Sequence, residues 1–261
     1  MPERFSRAGF LVPALAAVLA LGACADTTPA AGRGGELTVF AAASLSRPFT
    51  ELAQDFEAAH PGTTVRLNFA GSSDLAAQLV AGAPADVFAA ADETNMARVL
   101  EADLAAGEPA DFAANTLTIA VPPGNPAGIT GFGDLAAPGV QVVMCAVQVP
   151  CGAAAERIEA ASGTALSPVS EESSVAGVLG KVSSGEADAG LVYVTDVKAA
   201  GSSVEEVPLP EAADAVNRYP IVRLSGSGNS VGNSDAADAF IQYVVGSQGQ
   251  SVLRGAGFGA P

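Results

Sequence analysis

The feature that most constrains this chain is an alternation of short β-branched runs with segments whose apolar residues recur at helical spacing. Leu37-Thr38-Val39-Phe40 predicts a strand, and Pro48 to Ala59 then sets Phe49, Leu52, Ala53 and Phe56 on one helical face. Thr64 to Phe69 alternates again. Ser72-Ser73-Asp74 opens a helix carrying Leu75, Leu79 and Val80, and Asp86 to Ala90 is a buried-strand run. Further on, Leu117 to Val121 ends at Pro122-Pro123-Gly124, and Gln141 to Met144 repeats the strand pattern. Pro150-Cys151-Gly152 precedes a helix with Ile158 inward and Gly163 at its end; Ser173-Ser174 precedes Val175, Val178, Leu179 and Val182, with Gly185 as the stop. Leu191 to Val194 is strand-like, Tyr219 to Leu224 extended, Asp235 to Val245 a final helix, and a Gly-rich tail follows. This repetition predicts an α/β architecture of two lobes, each a mostly parallel sheet flanked by helices. The extended segment before the last helix returns the chain to its first half. Lobe one is therefore set at 36–116 and 222–261, and lobe two at 117–221. Crossings near Asn115–Thr116 and Tyr219–Pro220 form a two-segment hinge.

The N-terminus reads as an export signal. Arg4 and Arg7 precede an apolar run from Ala8 to Ala23, which is too short to span a bilayer comfortably and contains Pro13. The run ends in Leu21-Gly22-Ala23-Cys24, which matches the lipobox of bacterial lipoproteins, where the Cys is acylated. An ordinary cleaved signal with a chance Cys is the alternative. On this reading residues 1–23 are a lipoprotein signal peptide. Residues 24–35, small and Pro/Gly-containing, are a flexible tether. The protein then works outside the cytoplasm, lipid-anchored through Cys24 to the outer face of the cell membrane.

Charge and composition remove whole classes of function. Asp and Glu total 28 against 12 Lys and Arg, a net charge of −16. An acidic surface disfavours nucleic acid and anionic lipid as partners. Aromatic residues are 5% of the chain and Trp is absent, so stacking platforms for single strands are not expected. The one His, His60, stands in a His-Pro-Gly turn, which removes most His-dependent catalysis and most zinc sites. Cys145 and Cys151 sit close together and, in an oxidising compartment, predict a small-loop disulfide rather than a catalytic thiol.

Four helix starts share small hydroxyl or Gly residues just before an apolar helix. They are Ala43-Ser44-Leu45-Ser46, Ala70-Gly71-Ser72-Ser73, Val149-Pro150-Cys151-Gly152 and Ser173-Ser174-Val175. Each offers unpaired backbone N–H groups and a helix dipole of about half a positive charge. In open α/β sheets such starts lie at the carboxyl ends of strands, where ligands bind. Several of them converging make an anion site without Lys or Arg. Taken singly, Ser46 and Ser73 read equally well as helix caps, Cys151 as half of a disulfide, Val175 as core and Tyr193 as a half-buried tyrosine.

The same residues resemble a family. Leu37-Thr38-Val39-Phe40-Ala41-Ala42-Ala43-Ser44-Leu45 and Phe69-Ala70-Gly71-Ser72-Ser73 are similar to the first two loops of extracytoplasmic molybdate-binding proteins of ABC importers. So are Val149-Pro150-Cys151-Gly152, Ser174-Val175-Ala176-Gly177 and Gly190-Leu191-Val192-Tyr193. Gly82-Ala83-Pro84-Ala85-Asp86-Val87-Phe88 matches a signature spread more widely among two-lobed binding proteins. The resemblance implies the periplasmic-binding-protein fold and capture of molybdate, with tungstate beside it, for an ABC transporter permease. It implies a monomer with no cofactor and no enzymatic activity. It also implies five ligand positions: hydroxyl and backbone donors at Ser44 and Ser72, backbone N–H groups at Cys151 and Val175, and the phenol of Tyr193. The molybdenum would be held only through its oxygens. Cys151 stands where Ala is commoner, and Asp74 where an uncharged residue is frequent.

A fully deprotonated tetrahedral dianion needs donors only. Phosphate keeps a proton and wants an acceptor, so a donor-only site leaves that proton unpaired at a cost of about 1–3 kcal/mol. Asp74, if aimed inward, would favour the protonated ion. Sulfate differs from molybdate only in size. The alternative reading is therefore a receptor for another oxyanion, sulfate or phosphate, on the same scaffold. A serine hydrolase using Ser44 or Ser72 has no Gly-x-Ser-x-Gly elbow and only His60 as base. A structural surface lipoprotein would answer to no small ligand.

Overall fold

The computed structural model describes residues 35–225 and 232–261. The signal segment, Cys24 and the tether up to residue 34 lie outside the described residues. The chain runs β1 (Glu36–Ala42), α1 (Ser46–Ala59), β2 (Thr64–Ala70), α2 (Ser72–Val80), β3 (Val87–Ala89), α3 (Glu93–Glu101) and β4 (Ala110–Asn115). It continues through β5 (Leu117–Val121), β6 (Val142–Cys145), α4 (Pro150–Ser162), β7 (Ser170–Glu172), α5 (Val175–Ser183), β8 (Ala189–Tyr193), α6 (Val194–Ala200) and β9 (Glu205–Val207). Then come β10 (Asn217–Arg223), α7 (Gly232–Val245) and α8 (Ser247–Ala256).

Two five-stranded sheets result, ordered β2-β1-β3-β10-β4 and β7-β6-β8-β5-β9. Both sheets are mostly parallel, as expected, with one reversed strand in each, so that both are mixed. In the first, β2, β1 and β3 run parallel while β10 is antiparallel to β3 and β4. In the second, β7, β6 and β8 run parallel while β5 opposes β8 and β9. The reversed strands are those next to the crossings: β5 carries the chain into the second sheet and β10 brings it back.

The first crossing is Thr116, the single residue between β4 and β5. The second differs. The boundary set at 221/222 falls inside β10, which pairs in the first sheet from Asn217 onward, so the return lies at Ala215–Val216 rather than Tyr219–Pro220. The Gly-rich tail also holds a helix, α8, whose Leu253 is buried in the first lobe. Val194 opens α6 instead of extending β8.

Alternation along β1 explains why the first sheet is apolar on both faces. Leu37, Val39 and Ala41 join one core with Phe49, Phe56, Phe112 and Phe240. Phe40, one residue out of phase, joins Leu75, Phe88, Met96 and Val99 on the other face. The first core is aromatic, with Phe56 and Phe240 edge to face at 5.3 Å. The second sheet packs Val143, Ile158, Val178 and Val192 into its own core. His60 caps the C-terminus of α1: its Nδ1 lies 2.9 Å from the Phe56 carbonyl and its ring stacks on Phe56.

Candidate functional site

The chain leaves β1 and turns at once into a short 3-10 turn, Ala43–Leu45. Short loops after β2, β6 and β7 lead into α2, α4 and α5. Ser44, Ser72, Cys151, Val175 and Tyr193 all line one narrow cavity of about 10 Å³. Ala42, Ala43, Gly71, Ala91, Val149 and Pro150 complete its wall, which holds no Lys or Arg. The five positions come from both sheets: Ser44 and Ser72 from the first lobe, Cys151, Val175 and Tyr193 from the second.

The backbone supplies donors here. The first N–H groups of α2, α4 and α5 to reach a carbonyl are those of Asp74, Ala153 and Gly177. Ser72, Cys151 and Val175 precede them, in the first turn, where N–H groups have no intrahelical acceptor. Pro150 at the first position of α4 has no N–H to lose. Cys145 and Cys151 are joined by a disulfide, which closes the loop from β6 to α4.

The hydroxyls are each held from behind. The Ser72 Oγ accepts from the Ala91 N–H at 3.0 Å. The Ser44 Oγ and the Tyr219 hydroxyl are 3.0 Å apart. The Tyr193 hydroxyl accepts from Asn217 Nδ2 at 2.9 Å. Burial first, with Tyr219, Asp92 and Asp196 nearby, pushes the Tyr193 phenol well above its ordinary value, so it keeps its hydrogen. Beneath it, Asp196 accepts from the Tyr193 N–H at 3.0 Å, and burial raises its carboxyl to about 7. Burial also raises Asp92, against hydrogen bonds from Asn95 and the charge of Arg157.

Other sequence candidates fall outside this wall. Ser46 is exposed, and Ser73 is buried with no hydrogen-bond partner for its Oγ. Asp74 is exposed on the first turn of α2. A larger hollow, about 460 Å³ between α1, α6 and α8, contains Arg47, Glu51 and Lys198 but none of the five. Among the described residues, no cluster of three His, Cys, Asp or Glu could hold a metal ion. Sequence reasoning missed Asn217 and took Tyr219 only as hinge. Their signal was an Asn and a Tyr two residues apart, which share one face of β10.

Residues 37–259 match the model of a family of bacterial extracellular solute-binding proteins. The chain is 46% identical over 250 residues to the molybdate-binding protein ModA of Mycobacterium tuberculosis H37Rv, covering 94% of each. It is 30% identical over 236 residues to ModA of Escherichia coli K12, covering 86% of this chain and 89% of that protein. Among solved structures, the Azotobacter vinelandii periplasmic molybdate-binding protein superposes with a TM-score of 0.73 at 21% identity, over 86% of this chain and 99% of that one. The sulfate-binding protein SubI of Mycobacterium tuberculosis gives 0.73 at 20% identity, over 86% of both chains. These two establish the two-lobed fold and, being equal, do not choose an ion. On sequence and fold together, the chain belongs to the bacterial extracellular solute-binding protein family.

Proposed function

We propose that this protein captures molybdate, and tungstate with it, outside the cytoplasm and delivers the ion to the permease of an ABC importer. The observation that carries this reading is the convergence of Ser44, Ser72, Cys151, Val175 and Tyr193 on one cavity free of cationic side chains. The ModA relatives support the choice of ion. Hydroxyl and first-turn N–H donors match a bare tetrahedral dianion, which has acceptors on every side and no hydrogen to place. No buried cation is then left unpaired in the ligand-free protein. Asp74, being exposed, gives no reason to prefer a protonated ion.

Both lobes contribute donors, so the ion stabilises the closed arrangement by its differential affinity for it, and the closed form is what the permease reads. The protein acts as a monomer, held at the membrane by a lipid on Cys24. A hydrolase is disfavoured because the one imidazole is bonded to the Phe56 carbonyl and stacked on a ring.

A thermal-shift panel of molybdate, tungstate, sulfate, phosphate and citrate tests the reading. At 100 times its dissociation constant a ligand adds about 2.7 kcal/mol to the folded state. Shifts with molybdate and tungstate alone are expected. A sulfate or phosphate response of equal size would replace the proposed ion.

A further inference from the structure

Asn217 opens β10 and is 3% exposed. Its Nδ2 lies 2.8 Å from the Ala91 carbonyl, 3.2 Å from the Pro150 carbonyl and 2.9 Å from the Tyr193 hydroxyl. Its Oδ1 accepts from the Arg157 guanidinium at 3.0 Å. These partners fix which way the amide points. A flipped amide would set its oxygen against two carbonyls and its NH₂ against a guanidinium, both donor–donor or acceptor–acceptor clashes. Asn217 therefore presents only donors to Tyr193, its two hydrogens shared among three acceptors, and the reverse bond is closed off.

A phenol has one hydrogen. With a lone pair taken by Asn217, the Tyr193 hydrogen must point elsewhere. The neighbouring Tyr219 hydroxyl, which also meets Ser44 at 3.0 Å and Asn115 Nδ2 at 3.5 Å, is one acceptor within its reach. An anion in the cavity that Tyr193 lines is the other. Ala91 repeats the device on the other lobe, its N–H occupying the Ser72 Oγ while its carbonyl holds Asn217.

Resting on the proposed oxyanion reading, we infer that Asn217 is a positioning residue: it fills an acceptor position on the Tyr193 hydroxyl and leaves the hydroxyl hydrogen for the ligand, and so tilts the site against an oxyanion that carries a proton. Asn217 belongs to the first sheet, while Tyr193 belongs to the second and Pro150 and Arg157 to α4. The arrangement thus exists only where the two lobes meet.

Hydrogenphosphate at pH 8 is the discriminating probe, because it has the charge of molybdate plus one hydrogen. Calorimetric titration of molybdate and phosphate into wild type, Asn217→Ala, Tyr193→Phe and the double variant closes a cycle. Asn217→Ala should weaken molybdate about tenfold, the worth of one well-placed hydrogen bond. Its preference for molybdate over phosphate should fall as well, since the freed hydroxyl can now accept. In the Tyr193→Phe background the same change should cost less than about threefold, because its target is gone. Losses that multiply in the double variant, or an unchanged preference over phosphate, overturn the inference. Asn217→Ser, which leaves a smaller gap, takes the place of the Ala variant if circular dichroism shows that one unfolded. Wild type that binds none of molybdate, sulfate and phosphate overturns the proposed function and this inference together. Wild-type binding with independent losses overturns the role of Asn217 alone.

Discussion

Tyr193 does two jobs through two atoms: its hydroxyl meets Asn217 beside the cavity that the residue lines, and its N–H ties down Asp196. Tyr193→Phe removes only the first. Molybdate affinity should fall about tenfold with the melting temperature of the ligand-free protein unchanged, as read by calorimetric titration beside a thermal scan. Asp196 gives a pH signature. Its carboxyl is raised from 3.8 to about 7 by burial, so the folded chain holds that proton more tightly than the unfolded one. The resulting stabilisation is complete below about pH 4 and is lost as pH rises through about 7. Asp196→Asn keeps an acceptor for the Tyr193 N–H and has nothing to titrate. Melting curves between pH 4 and 8 should therefore fall for wild type and run flatter for the variant.

At the level of elements, the start of α4 is the most constrained piece of the wall. A Cβ on Gly152 would sit inside the carbonyl of Ala146, which belongs to the loop closed by the disulfide. Gly152→Ala should cost about 2 kcal/mol or more in chemical denaturation, because the obstacle is backbone and cannot rotate away. Removing the disulfide by Cys145→Ser with Cys151→Ser frees the same loop. The loop-closure term for so short a span is about 2 kcal/mol, so denaturation midpoints and molybdate affinity should both drop. The helix-start pattern made this element legible: Pro150 followed by small residues is a sequence signal in its own right. The short elements were harder. β7, β9 and α6 are three, three and seven residues long, too few for periodicity to separate from loop. α8 was hidden by its glycines, of which Gly249 is needed because a Cβ there would run into the Val244 carbonyl at the turn from α7.

For the whole molecule, the seam between the lobes decides function. Gly71 of the first lobe approaches the Ser173 carbonyl of the second so closely that a Cβ would overlap it. Gly71→Ala should hold the lobes apart. Molybdate affinity should fall while each lobe keeps its own core, so far-ultraviolet circular dichroism should match wild type while titration shows weaker binding. An equal dissociation constant would show that the seam yields at no cost. The sequence by itself determined the two-lobed α/β layout and the small-residue helix starts, because periodicity, caps and Gly/Pro punctuation act over a few neighbouring residues. It also marked the five positions that line the cavity, through a resemblance carried by short contiguous motifs. Only the tertiary structure decided how the sheets mix parallel and antiparallel strands, where β10 re-enters, and that Asn217, Tyr219 and Ala91 stand behind the three hydroxyls. Those contacts join residues far apart in the chain, such as 91 to 217 and 44 to 219. Hydrogen-bond polarity across a lobe seam leaves no local pattern to read.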